Sequence, residues 1–201
     1  MITDTDIKQF KILKKLKDKK RFKLYTIGSR SNIFKIHKHS IYKNLQVLEI
    51  EYKNKIYKLK INLYGSIQIK NLLMAILASK SCGLKIENIF SKIHRVKSVE
   101  GRLELIRTLP NKSKIFLDYA HTPDALQNAI LSLRQHFNKK INVIFGCGGE
   151  RDKIKRVKMG KVAKKYCNKI YLTDDNPRNE NANSIRSQIK KGLEGSNFKE
   201  I

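Results

Sequence analysis

From residue 115 onward the sequence alternates between short apolar runs and longer amphipathic ones. That alternation constrains the fold more than any other feature. Ile115-Phe116-Leu117, Ile141 to Phe145 and Lys169 to Thr173 read as strands. Pro123 to Phe137, Ile154 to Cys167 and Ala182 to Leu193 read as helices between and after them. The first of these helices has Pro in its opening turn and Thr122 as N-cap. Phe198-Lys199-Glu200-Ile201 begins a fourth strand, at which the chain stops, so the sheet is expected to be unfinished. Strand–helix–strand at this spacing predicts right-handed crossovers and a parallel sheet, an α/β fold of Rossmann-like kind.

The first hundred residues read differently. Phe22 to Ile27, Leu45 to Tyr52 and Ile56 to Ile61 alternate with period two and predict strands. Glu51 to Tyr57 reads as a hairpin, with Asn54 tolerating the positive φ of a tight turn. Helices are predicted over Ile69 to Ser81, ending at Gly83 as a C-cap, and over Ile86 to Ile93. The basic stretch Lys8 to Lys23 reads as a solvated helix face over apolar Phe10, Ile12, Leu13 and Leu16. The change in pattern near Glu100-Gly101-Arg102-Leu103 predicts domains at 1–100 and 101–201.

Lys and Arg number 44 against 17 Asp and Glu, a formal net charge of +27. Such a charge raises nucleic acid as a partner, and a basic nucleic-acid-binding module is the alternative reading. The excess is mostly Lys spread along the whole chain, without a zinc-finger spacing, an RNA-binding aromatic signature or a heptad-linked basic helix. No specific nucleic-acid partner is therefore expected. Cys82, Cys147 and Cys167 are too few and too scattered for a disulfide framework or a metal motif, which suits a cytoplasmic setting. The five His residues show no metal-ligand spacing, so no metal ligand is assigned. No apolar run reaches the ~18 residues of a membrane span, so no membrane partner is expected.

Each strand of the second half ends in a polar loop: Asp118 to Asp124, Gly146 to Asp152 and Thr173 to Arg178. In a parallel sheet, ligands bind beyond the carboxyl ends of the strands, and three such loops at one edge describe a site. Asp174, Asp175, Asn176 and Arg178 carry both signs of charge, which suits a zwitterionic ligand: an Arg fork grips a carboxylate while Asp and Asn accept from an ammonium. Pro177 biases Asn176 away from helix. The alternative is a polar turn. The Gly146-Cys147-Gly148-Gly149 loop is either an anion nest or a tight strand-to-helix connection, with Arg151 adding positive charge after it. His121 is a base, a stacking partner or a cap. Asp118 is an acceptor from sugar hydroxyls or the cap of the following helix.

Together these loops resemble the carboxy-terminal domain of the Mur ligases. The resemblance extends upstream: Gly101-Arg102-Leu103-Glu104 is similar to the family's G-R-M-E segment, and Gly65 to Leu73 to its G-x-F-N-x-x-N-L-L helix start. Gln68 departs from that pattern at the first Asn, and Val157 stands where Pro is common. The resemblance implies the end of a central ATPase domain followed by most of the carboxy-terminal domain. It implies ATP-driven amide formation through an acyl phosphate, with ATP and Mg²⁺ as cofactors. The branch matched adds meso-diaminopimelate to UDP-N-acetylmuramoyl-L-alanyl-D-glutamate, in a cytoplasmic, monomeric enzyme of peptidoglycan precursor synthesis. By the same resemblance Asn71 lies near adenine, Arg102 near the phosphates, Asp118 near the ribose and His121 close to the nucleotide. Arg151, Asp175, Asn176, Pro177 and Arg178 hold the diaminopimelate; no catalytic residue is assigned. The family's phosphate-binding loop, its UDP-binding domain and its magnesium-holding lysine have no counterpart in these residues, and its late Gly-His-Glu segment would lie beyond Ile201. The 201 residues are accordingly expected to be inactive alone, and a non-catalytic remnant remains an alternative.

Overall fold

The computed structural model describes residues 1–201, and the chain divides into two units, Met1–Val99 and Glu100–Ile201. In the first unit five strands form one sheet in chain order: β1 (Ile2–Asp4), β2 (Tyr25–Gly28), β3 (Phe34–Tyr42), β4 (Leu45–Tyr52) and β5 (Lys55–Ile61). β1, β2 and β3 pair in parallel, and β3, β4 and β5 are antiparallel. Two Lys-Asn pairs make the antiparallel turns. Lys43 and Asn44, then Lys53 and Asn54, all take φ of +48° to +63°, the left-handed pair of a two-residue hairpin. Buried and half-buried residues alternate strictly along β4. Its buried Gln46 donates to the Leu63 and Gly65 carbonyls at 2.6 and 3.2 Å, fastening the entry to α2 (Ser66–Ser81).

α2 buries Ile69, Leu73, Ile76 and Leu77 in a core shared with Phe34, Leu48, Ile50 and Ile61. Gly83 ends it at φ +96°, with Leu84 N–H on the Ser79 carbonyl and Gly83 N–H on that of Lys80. That is a Schellman cap, and only glycine takes its φ without strain. α3 (Ile86–Ser91) and a 3₁₀ turn over Ile93–Arg95 close this core through Ile86, Phe90 and Ile93.

Two expectations for this unit are corrected. The strand expected over Phe22 to Ile27 begins only at Tyr25, because α1 (Phe10–Lys20) ends at Arg21 in left-handed geometry and the chain needs three residues to turn back. α1 itself buries no residue: Ile12 is 61% and Leu16 41% exposed. The apolar stripe is present, but it is covered only in part: Phe10 and Leu13 are half-buried.

In the second unit β8 (Asn142–Phe145), β9 (Lys169–Leu172) and β10 (Phe198–Glu200) form a parallel sheet with β9 in the middle. α4 (Pro123–Phe137), α5 (Ile154–Tyr166) and α6 (Ala182–Lys190) supply the connections, and Leu126, Ile130, Met159, Ala163, Ile170, Leu172, Ile185 and Ile189 make the core. Thr122 caps α4 by accepting from Ala125 N–H at 3.2 Å. The strand after Lys114 is corrected. β7 (Lys114–Leu117) joins β6 (Glu104–Thr108) in a separate antiparallel ribbon rather than entering the parallel sheet. The short link is the cause: Leu109 N–H reaches the Ser113 carbonyl at 2.8 Å and closes the turn locally. Ile115 and Leu117 stay 46% and 51% exposed, too wet for a strand covered on both faces.

Candidate functional site

β8 and β9 are parallel neighbours, so the loops that follow them, 146–153 and 173–181, leave the same end of the sheet. They interlock. Gly149 N–H donates to the Asn176 carbonyl at 2.9 Å, and the Arg178 guanidinium donates back to the Gly149 carbonyl at 2.7 Å. Asn179 donates to the Glu150 carboxylate at 2.9 Å, and Glu150 N–H to Glu180 Oε1 at 2.5 Å. A Cβ on Gly149 would sit 1.8 Å from the Pro177 carbonyl oxygen, and one on Gly146 2.5 Å from that of Thr173. These glycines therefore admit the neighbouring loop's backbone. The anion-nest reading is corrected at Gly149 and Glu150, whose amides are taken by Asn176 and Glu180.

Within 173–181, Asn176 Oδ1 accepts from Arg178 N–H at 3.2 Å, which folds the hook over Pro177 and holds Arg178 at φ +52°. Asp174 pairs with Arg186, which also bonds Glu200 at 3.1 Å. Asp174 is thus tied to α6 and β10. Asp175, Arg178 and, on the other loop, Arg151 are exposed. All five residues expected to hold the diaminopimelate lie on these two adjoining loops.

Beneath them Arg156, on the first turn of α5 and fully buried, grips Glu180 with both ends of its fork at 2.9 and 3.0 Å. Hydrogen bonds from Arg156 and from the Glu150 amide hold the Glu180 carboxyl down to about 2. Burial pushes the Cys147 thiol up, so the cysteine of the glycine loop is not a thiolate nucleophile at neutral pH.

A second cluster surrounds the end of β7. The Arg102 guanidinium stands 5.4 Å from the Tyr119 ring centre, and that ring meets His121 edge-on at 5.3 Å. His121 Nδ1 faces the Tyr119 carbonyl at 3.0 Å, so this nitrogen carries the proton. Asp118 accepts from Leu103 N–H at 2.9 Å and Tyr119 N–H bonds the Gly101 carbonyl at 2.8 Å. Asp118 therefore anchors the Gly101–Glu104 segment; the helix-cap alternative falls, since Thr122 caps α4. Lys155 donates to the His121 carbonyl at 3.0 Å. Arg102, Asp118 and His121 are thus brought together. Asn71 lies in the other unit, exposed on α2.

Cationic and aromatic groups in this arrangement suit a nucleotide's phosphates and base. No three His, Cys, Asp or Glu side chains converge. Sequence reasoning missed Tyr119, Lys155, Arg156 and Glu180. Tyr119, 67% exposed between Asp118 and His121, is the one a residue-by-residue reading could have found.

The unit is thus an α/β domain with a parallel sheet, interlocked polar loops at its strand ends, and Arg102 packed on the Tyr119–His121 pair of a loop tied to them by Lys155. Residues 101–201 match the family described as Mur ligase, glutamate ligase domain, and residues 1–79 match the Mur ligase middle domain. The chain belongs to the Mur ligase family. It is 36% identical, over 100% of its own length, to the UDP-N-acetylmuramoyl-L-alanyl-D-glutamate–2,6-diaminopimelate ligase of Rickettsia montanensis, of which it covers 41%. To the ligase of the same name from Rhizobium meliloti it is 34% identical, over 85% of this chain and 35% of the relative. Among solved structures, one such diaminopimelate ligase superposes with a TM-score of 0.62 at 26% identity, covering 100% of this chain and 42% of that one. A Mycobacterium tuberculosis folylpolyglutamate synthase complexed with ADP superposes with 0.74 at 17% identity, over 95% and 42%, a likeness of fold. The chain spans 41% and 35% of the length of the two curated relatives named here.

Proposed function

We propose that this chain supplies the amine-binding and part of the nucleotide-binding surface of an ATP-dependent ligase that joins meso-diaminopimelate to UDP-N-acetylmuramoyl-L-alanyl-D-glutamate. ATP would phosphorylate the glutamate γ-carboxylate, turning a poor electrophile into an acyl phosphate. One diaminopimelate amino group, as the neutral amine, then attacks the acyl carbon; phosphate leaves with the bonding pair and the nitrogen's surplus proton passes to solvent as the amide forms. The chain's share is to hold the amine component: Arg151 and Arg178 on its carboxylates, Asp175 and Asn176 on its ammonium, with Pro177 shaping the hook. Arg102, Asp118 and His121 would contact the nucleotide, with Asn71 toward adenine. Magnesium would neutralise phosphate charge when bound. The three free cysteines and the need for ATP suit a cytoplasmic protein.

The observation that supports this reading most is the reciprocal bonding of Gly149 with Asn176 and Arg178, which joins both arginine-bearing loops. Diaminopimelate carries a distal carboxylate that lysine lacks. A guanidinium left without its partner costs about 1–3 kcal/mol, or roughly tenfold or more in affinity. Calorimetric titration of each amine tests this. Arg178→Ala should weaken diaminopimelate by at least about tenfold and leave lysine nearly unchanged; unchanged diaminopimelate affinity would refute the assignment.

A further inference from the structure

We propose that Arg156 and Glu180 form a positioning clamp that fixes the register of the 146–151 and 173–180 loops and so sets the preference for diaminopimelate over lysine. The inference rests on the amine-site reading above. Arg156 is fully buried, so it acts through other residues. Besides its fork on Glu180, it donates to the Gly148 carbonyl at 3.1 Å and to Gln188 on α6 at 3.0 Å. Glu180 in turn accepts the Glu150 amide at 2.5 Å. One ion pair thus grips the glycine loop at 148 and at 150, on either side of Gly149, and the other loop at 180. Gly149 is the residue whose carbonyl receives the Arg178 guanidinium and whose N–H holds the Asn176 carbonyl. Arg151 follows Glu150 directly. The spacing of the two exposed arginines is therefore fixed by a pair whose guanidinium is fully buried and whose carboxylate is 17% exposed. A planar fork provides this where an ammonium could not, because its donors leave in fixed directions.

The test uses the 201-residue chain with Glu180→Gln, which keeps the shape and the acceptor for Glu150, and Arg156→Lys, which keeps the charge and loses the fork. Affinities for meso-diaminopimelate and lysine are measured by calorimetry, and amide exchange at Gly149 and Glu150 by NMR. Both variants should lower the diaminopimelate-to-lysine preference at least tenfold, with lysine affinity within twofold of wild type and faster exchange at both amides. A merely structural pair would weaken both amines equally, and that result, or an unchanged preference, overturns the clamp. If either variant fails to fold, Gln188→Ala removes one Arg156 acceptor and should lower the preference roughly threefold to fivefold; no change there overturns it equally. A wild-type chain that does not prefer diaminopimelate refutes the amine-site reading and the clamp with it, whereas a preference shared by wild type and variants refutes the clamp alone.

Discussion

Replacing Gly149 with Ala should destabilise the carboxy-terminal unit far more than the same change one residue earlier. The new methyl would lie 1.8 Å from the Pro177 carbonyl oxygen and 2.6 Å from its carbon, both backbone atoms. To reach ordinary contact the loops must part by roughly 1.5 Å. That breaks the 2.9 Å bond from Gly149 to Asn176 and the 2.7 Å bond from Arg178. A neutral bond contributes about 1 kcal/mol and one from a charged donor about 1.5–3, so the cost is about 2–4 kcal/mol. In a unit of this size that lowers the melting temperature by on the order of 10 °C or more. At Gly148 a methyl would meet the Asn176 oxygen at 3.5 Å and the Asp175 carboxylate at 3.7 Å, which are ordinary contacts. Gly148→Ala should be neutral, or stabilising by up to about 1 kcal/mol through the unfolded state. Urea unfolding of both variants decides the matter. Equal stability of the two would show that the loops do not interlock as described.

Glu180 titrates near 4.5 unfolded and about 2 folded, so its pairing contributes full stability above roughly pH 5 and loses it as pH falls from 4.5 toward 2. Urea midpoints across that range should fall in the wild type and be flatter in Glu180→Gln. Gly83→Ala meets no atom within 4 Å, so its cost is conformational, about 1–2 kcal/mol from the positive φ, measured in the amino-terminal unit's unfolding. Ile12→Ala should shift that same transition by less than about 0.5 kcal/mol, whereas Leu73→Ala, at a fully buried site, should cost about 2–5.

Elements whose pattern is local were legible in the sequence. The β4–β5 hairpin, the Gly83 cap and α4 with its Thr122 cap each depend on a few adjacent residues. Two causes hid the strands the sequence did not show. β3 and β6 pair with register shifts, between Ile36 and Lys38 and between Leu105 and Arg107, and each shift breaks the period-two alternation that marks a strand. β1 is three residues long, too short to show a period. α1 shows the opposite failure: its stripe was read correctly, but burial needs a facing surface, which no helical periodicity supplies. Arg156 and Glu180 stand 24 residues apart and look like ordinary surface charges until the fold joins them.

The glycine loop carries the argument about the site one step further. Read as a sequence, Gly146 to Gly149 offers amides to an anion. In the folded chain the amides of Gly149 and Glu150 already serve Asn176 and Glu180. Under the proposed amine-site reading, these two amides are not free for a carboxylate, and the exposed residues Arg151 and Arg178 would supply the cations for it. Side chains on a long stem select by position only if the backbone beneath them is fixed. On the proposed reading the interlocked glycines and the Arg156–Glu180 pair would provide that fixity, so a loosened loop should first lose discrimination between amines, and only afterwards the capacity to bind one.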